Sequence, residues 1–328
     1  MRAVTHAGAG DASVLVLADR PDPVPAAGEV VVRVHASALN RADVLQRQGR
    51  YPPPPGAPAD IPGIEYAGEI AVLGAGVTGW AVGDRVFGLA DGGAHAELVK
   101  VHATHLAHIP DNLGWVDAGA VPEAFITAHD ALVTQGGLVK GSRAIVTACG
   151  SGVGTAALQV IRAVGAHGFG TTRTADKLRR AASLGLEAGV VLGDDPAPIA
   201  EAVTAWTDGG GADVAIDLVG GPYVAACVAA MRLRGRVIVV GLLAGATVPL
   251  DLGSLLRRRL TVRGTVLRSR DVAEKAAATA AFVRDIVPTL TEGRCVPVVH
   301  EAFPFDRIAD AHRAMEGAEP FGKLVLTW

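Results

Sequence analysis

Between Arg143 and Val266, short apolar runs alternate with longer stretches of helical periodicity. No other feature restricts the fold of this chain so strongly. Residues 143–148 (RAIVTA) read as a strand, and Gly152–Val164 as a helix stopped by Gly165, a residue suited to the position just past a helix end. A strand over 168–172 follows, and Thr174 is placed to cap a helix running to Leu184. Next come a strand at 190–192, a helix at Pro198–Trp206 and a strand at 212–219. Pro222, at a first helical position, opens a helix to Leu233. Strands at 236–242 and 260–266 close the series. Such alternation builds a doubly wound parallel sheet with right-handed crossovers, here of six strands with 260–266 at an edge.

The first third of the chain has a different rhythm. Residues 28–39 alternate Val30, Val32 and Val34 against their neighbours, which is the strand period. Short strands at 65–72, Arg85–Leu89 and 94–101 follow, separated by glycine-rich turns. Close spacing of this kind predicts a small, mostly antiparallel, barrel-like β domain. Residues 52–55 are four consecutive prolines, a surface loop rather than a strand. The tail mixes helices at 271–285 and 308–315 with a last strand, Lys323–Thr327. The expected layout is a β domain of residues 1–122 and 264–328, interrupted by a nucleotide domain of residues 123–263.

Composition excludes several classes. Of the 328 residues, 50% are apolar and 19% charged, which rules out a disordered or fibrous chain. The net charge of −3 offers no basic excess for a phosphate backbone, so nucleic acid is not expected as the main partner. Cys149, Cys227 and Cys295 lie far apart, which excludes a disulfide framework and a four-thiolate zinc site. The N-terminal residues lack the long apolar stretch of a signal peptide, and no apolar run approaches the ~20 residues of a membrane span. A cytoplasmic protein is the expectation.

The sequence CGSGVG over residues 149–154 lies between a strand and a helix, the context of a dinucleotide-binding turn. Cys149 and Ser151 stand at the first two glycine positions, and only Gly154 fits the third. Such a turn can be purely structural; the strand–helix alternation after it favours a dinucleotide. Ser151, Gly152, Val153 and Gly154 are then the pyrophosphate contacts, at the positive end of a helix. An NAD site would place an acid near the end of the second strand. Thr172 stands there instead, followed by Arg173 and Lys177, a hydroxyl and two cations that suit the 2′-phosphate of NADPH. The plainer account of Arg173 and Lys177 is a solvated helix start. Gly220 and Gly241 follow strand ends, on the ligand-binding side of such a sheet.

Four stretches resemble the zinc-independent branch of the medium-chain dehydrogenases/reductases. They are Asn40-Arg41-Ala42-Asp43 with QRQGRY at 46–51, IPGIEYAG at 61–68, SGVGTA at 151–156, and LRSR at 267–270. The likeness covers nearly the whole chain and is greatest to NADPH:quinone oxidoreductases of the zeta-crystallin group, especially the tumour-suppressor-inducible type. It implies a GroES-like barrel-type β domain beside the Rossmann domain, and a homodimer joined through the edge strand. Asn40 and Ile64 stand where zinc-dependent relatives carry Cys and His, and neither is a zinc ligand; no metal is expected. The resemblance also places Asn40, Thr127, Leu242 and Leu267 beside the cofactor. Many NADPH-specific relatives carry a Tyr after the third strand, where this chain has Leu192 or Gly193.

Tyr51, Asn40 and Asp43 are the candidate catalytic residues. Resemblance makes Tyr51 a substrate-side donor; otherwise it is a half-buried ring with a wet hydroxyl. Asn40 suits a carbonyl oxygen, and Asp43 fits either a catalytic or a structural role. His95, His102, His105 and His108 read as ordinary surface histidines. The expected function is NADPH-dependent hydride transfer to a quinone or another conjugated carbonyl compound. The alternatives are an enoyl-thioester reductase and a non-catalytic NADPH-binding protein. The first would need a basic groove, for which Arg257-Arg258-Arg259 is a candidate, although a solvated charge run is the simpler reading.

Overall fold

Strands buried on both faces carry apolar residues at every position, and the central strands between Ala124 and Val266 follow that rule. Ala144, Ile145, Val146, Val214, Ala215, Ile216, Val237 and Ile238 have no exposed surface. The computed structural model describes residues 1–317 and 320–328 and divides into two units. One comprises Met1–Glu123 with Leu267–Trp328, the other Ala124–Val266.

In the second unit six parallel strands lie in the order Leu186–Val191, His167–Thr172, Arg143–Val146, Ala212–Asp217, Met231–Val239, Thr261–Gly264. The first strand in sequence is thus central, and the chain winds outward from it in both directions. The turns after Val146 and Asp217 lie at the point where the winding reverses, the ligand-binding place of this architecture. The helix Gly152–Val164 begins at Ser151, whose side chain accepts from the Gly154 N–H, and ends at Gly165 with φ of 78°. Thr174 caps Ala175–Ala182 in the same way, through the Lys177 N–H. Thr261–Gly264 is the exposed edge.

The helix opened by Pro222 stops at Ala230 rather than Leu233. Met231 instead pairs with Ala212 in the sheet. Arg258 explains the stop. Its guanidinium donates to the carbonyls of Val228 (2.8 Å), Ala229 (3.1 Å) and Met231 (2.7 Å), at a helix end where the Val228 carbonyl also accepts from the Met231 N–H. The arginine run is therefore not simply solvated: Arg257 and Arg259 are exposed, whereas Arg258 reaches inward.

The first unit carries a sheet ordered Val299–Pro304, Lys323–Thr327, Glu29–Ala38, Glu65–Leu73, Arg85–Leu89, Leu106–His108, with Leu98–His102 also paired to Glu29–Ala38. All pairs are antiparallel except the first, which is parallel. Val30, Val32, Val34, Tyr66, Ile70 and Val86 pack together on one side. The strand expected over 94–101 is displaced to Leu98–His102. Residues 94 and 95 are held in a turn by Gly63, whose φ is 101°: a side chain there would come within 2.4 Å of the His95 nitrogen. The Ala94 and His95 N–H groups donate to the Gly63 and Pro62 carbonyls.

Two of the supposed surface histidines are interior. His95 has no exposed surface and His105 is buried, its Nε2 3.1 Å from the Val272 carbonyl. His95 packs edge-on to Phe305. His312 is buried too, with Nδ1 3.4 Å from Arg47 Nη1. Burial, and after it the neighbouring His95, Arg47 and His6, pushes the His312 imidazole down to about 2. Burial likewise lowers His95. Both are neutral when folded and take a proton near pH 6.5 when unfolded. Their contribution to stability is whole above that pH and is lost as the pH falls below it. Denaturant unfolding at pH 7.5 and pH 5 should differ by roughly 2 kcal/mol for each histidine that stays neutral in the folded state. His312→Gln should flatten this slope, whatever it does at neutral pH.

Candidate active site

Each unit carries one constellation. In the nucleotide unit the turn after Arg143–Val146 is built for close approach. Ala148 adopts φ of 48°, and a side chain at Gly154 would come within 2.4 Å of the Ala148 carbonyl oxygen. The N–H groups of Gly152 and Val153 belong to the first helical turn, whose amides have no intrahelical acceptor. Gly170 leaves room for the Cys149 sulfur, which a side chain there would approach to 2.6 Å. Burial pushes the Cys149 thiol up to about 12, so it packs rather than reacts. This bare backbone at a helix start fits a dinucleotide pyrophosphate.

Thr172 is buried, and its hydroxyl donates to the Thr174 carbonyl at 2.8 Å. Its proton is therefore used within the turn. Arg173 is exposed, and Lys177 stands in the first turn of the next helix, half-exposed. Gly220 and Gly241 face one another: a side chain at Gly220 would come within 2.7 Å of the Gly241 carbonyl oxygen. Close packing of two turns thus accounts for both glycines. Beneath them Asp217, which the sequence did not single out, accepts from Thr147 Oγ1 (2.8 Å) and the N–H groups of Val219 and Gly220. Leu242 is exposed and Thr127 buried.

In the other unit, Asn40 lies at the start of the helix Arg41–Arg47. Its Nδ2 donates to Glu65 Oε1 (2.8 Å) and the Ala38 carbonyl (3.2 Å), and its Oδ1 accepts from Lys323 Nζ (2.6 Å). Lys323 also donates to Glu65 Oε1 (2.6 Å) and the Leu39 carbonyl (3.2 Å). The remaining Glu65 oxygen accepts from the Glu123 N–H. The Asn40 amide is therefore committed inward, and offers no spare proton to a substrate carbonyl. Asp43 is fully buried, and its two oxygens accept from the Asn40 and Gly63 N–H groups at 2.7 and 2.9 Å. The carboxylate thus joins the helix start to the Gly63 turn.

Tyr51 is different. It is half-buried, and the Arg268 guanidinium carbon lies 5.3 Å from its ring centre. Burial raises the phenol, the Arg268 charge draws it back down, and Glu123 raises it. Arg268 is itself buried, donating from Nε to the Asp91 carbonyl (2.8 Å) and from Nη2 to Gln46 Oε1 (2.6 Å). Leu267 is buried beside it in sequence. The structure thus brings Tyr51 to Arg268 and Gln46, and Asn40 to Glu65 and Lys323. Two signals stood in the sequence. Lys323 is a lone cation opening an otherwise apolar strand, and Arg268 falls within the LRSR stretch.

A GroES-like β unit with a Rossmann unit and a dinucleotide turn defines a nucleotide-dependent oxidoreductase. Two family descriptions match the chain: an alcohol dehydrogenase GroES-like domain over residues 26–135 and a zinc-binding dehydrogenase over residues 152–282. A solved NAD-dependent alcohol dehydrogenase is 31% identical, with a TM-score of 0.84 and full coverage of both chains. A quinone oxidoreductase of Pseudomonas syringae pv. tomato is 26% identical, with a TM-score of 0.88, over 100% of this chain and 99% of that one. A mycobacterial protein, Rv1454c, solved in complex with NADPH, is 25% identical with a TM-score of 0.88 and full coverage of both. The polyketide synthase GfsB of Streptomyces halstedii is 33% identical over 303 residues, covering 92% of this chain but only 5% of the synthase. The chain belongs to the medium-chain dehydrogenase/reductase family.

Zinc does not fit the residues present. Ile64 is a buried aliphatic side chain, the Asn40 oxygen is taken by an ammonium, and that Lys323 charge already answers Glu65. No helix among the described residues is long and apolar enough to cross a membrane. The buried pair has a measurable consequence. Lys323→Met leaves Glu65 without its compensating charge and should cost roughly 3–5 kcal/mol in denaturant unfolding. Adding Glu65→Gln should recover part of the loss. A loss no larger than that of a surface substitution would mean that the pair does not hold these segments together.

Proposed function

We propose that the chain is a zinc-independent, NADPH-dependent reductase of quinones or other conjugated carbonyl compounds, nearest in type to the tumour-suppressor-inducible quinone oxidoreductases. The observation that carries this reading is the donor chemistry around Tyr51 and Asn40. An amide and an aliphatic side chain, Asn40 and Ile64, stand where zinc-dependent relatives carry ligands, and the half-buried phenol beside Arg268 remains to meet an acceptor oxygen. An acceptor that is already electrophilic takes a hydride readily without a Lewis acid to polarise it. NADPH complexed with a relative of 25% identity supports the cofactor.

Bound NADPH supplies the hydride. The Gly152 and Val153 amides hold its pyrophosphate, with Ser151 and Gly154 shaping the turn. Arg173 and Lys177 take the 2′-phosphate. Thr127, Gly241 and Leu242 would border the nicotinamide. Tyr51 donates from its hydroxyl to the acceptor oxygen as negative charge builds there. A quinone that gains a hydride and a proton leaves as a hydroquinone; an enone gains hydride at Cβ, and its enolate then takes a proton from Tyr51 or water. A second reading, reduction of an enoyl thioester, is favoured by the likeness to a polyketide synthase. Of its candidate basic run, Arg257 and Arg259 are exposed and Arg258 is committed to a helix end.

Each cation tests the cofactor assignment. Arg173→Ala and Lys177→Ala should each weaken NADPH binding by roughly 1–3 kcal/mol and leave NADH nearly unchanged. Equal losses for both would make them supports of the fold. Tyr51→Phe should lower kcat about 10- to 1000-fold with little change in KM, least for quinones and most for enones. Turnover within a factor of two of wild type for both acceptors would make Tyr51 a packing residue. We further propose a homodimer, joined through the exposed edge Thr261–Gly264. Light scattering at micromolar concentration should give twice the chain mass, and the mass of a single chain would contradict the pairing.

A further inference from the structure

We propose that Arg268 is the positioning residue for Tyr51: a fixed, unpaired cation that holds the phenol ring and favours release of its proton to the acceptor. The inference rests on the reading of Tyr51 as the acceptor-side donor.

The geometry of Arg268 is unusual for a buried guanidinium. Its side chain is clamped on two sides by neutral acceptors, the Asp91 carbonyl and Gln46 Oε1. The carboxylate of Asp91 would be the natural counter-ion, but that group is bound to the Lys275 ammonium, which is itself buried. Among the described residues no carboxylate pairs with Arg268. The carboxylates of Asp43, Asp91 and Glu123 act on it only through their charge, and Asp43 spends both oxygens on backbone amides. Nη1 is buried without any hydrogen-bond partner. Leaving such a donor unmatched is costly, so a partner of another kind is called for. The Tyr51 ring lies against this guanidinium, its centre 5.3 Å from the central carbon, a distance at which a cation is attracted to an aromatic face.

A cation held there does two things. It fixes the ring against rotation, so that the hydroxyl meets the acceptor without a search for orientation. It also stabilises the phenolate that forms when the Tyr51 O–H bond breaks and the proton joins the acceptor oxygen or enolate carbon. Water then returns a proton to the phenolate, and the cycle closes. The groups that face Tyr51 electrically are Arg268, which favours the anion, and Glu123, which opposes it.

Absorbance titration of tyrosinate reads this directly, without turnover. The chain has three tyrosines; Tyr66 is fully buried and Tyr223 nearly so, and burial raises both phenols. Subtracting the curve of Tyr51→Phe from that of the wild-type protein isolates Tyr51. In Arg268→Met the midpoint should rise by roughly one pH unit, the effect of removing a neighbouring charge. Arg268→Lys should restore most of it. Should Arg268→Met fail to fold, Arg268→Gln keeps polar contacts without the charge and reads the same shift. With an enone, kcat should fall roughly three- to tenfold in the uncharged variant, as expected for a weaker donor, while NADPH affinity by fluorescence stays the same. In a Tyr51→Phe background the same substitution should add nothing. An unmoved midpoint, or an equal loss of kcat in that background, overturns the inference. Unchanged turnover in Tyr51→Phe alone would instead overturn the donor role on which it rests. That outcome is read from kcat rather than absorbance, so the two failures are distinct.

Discussion

The ammonium of Lys323 gathers three parts of the chain that sequence keeps far apart. It bonds the Leu39 carbonyl and the Asn40 amide, 283 residues away, and the Glu65 carboxylate, 258 away. Two charges removed from water lose their hydration, a cost that pairing and hydrogen bonds must offset, and here every Lys323 proton has an acceptor. The last strand of the chain is thereby fixed beside the first long strand, with which it also pairs through Val325 and Ala38. The helix start that carries Asn40 and Asp43 is fixed with it. Tyr51, a few residues beyond the end of that helix, is placed by the same arrangement.

The nucleotide unit depends on a constraint of another kind, the absence of side-chain volume. At Gly154 a single added carbon would strike backbone of the preceding turn, and at Gly170 it would strike the Cys149 sulfur. The departures from the usual glycine pattern are compatible with this. Ser151 is used as a helix cap, and Cys149 occupies the space that Gly170 vacates. Asp217 and Thr147 then tie the turn after the fourth strand to the end of the first through a buried hydroxyl–carboxylate bond.

Charge is handled in two ways within the β unit. Lys323 and Lys275 are buried and paired with carboxylates, whereas Arg268 is buried and, among the described residues, bonded to neutral oxygens and set against an aromatic ring, with no carboxylate paired to it. Paired charges fix structure; an unpaired one acts on whatever titrates nearby. The histidines follow a third rule. His95 and His312 are interior, burial disfavours their charged forms, and they link stability to pH.

The sequence by itself determined what local periodicity and turn chemistry control. The helices Gly152–Val164 and Pro198–Trp206 and the strands Arg85–Leu89 and Lys323–Thr327 stand where the pattern placed them. So do the cap at Thr174 and the exposed edge after Leu260. It also carried the family, because motif residues survive in linear order. Tertiary structure alone decided the rest. The helix after Pro222 reads as continuing to Leu233, because nothing local reveals that Arg258 takes the carbonyls at its end. Asn40 reads as a free amide, because its partners lie on other strands. Arg268 reads as one letter of a motif until Gln46, 222 residues earlier, accepts its hydrogen bond. Elements follow from neighbours within a few residues. The state of a buried polar group follows from whatever the fold sets against it, and that distance is not written in the order of the chain.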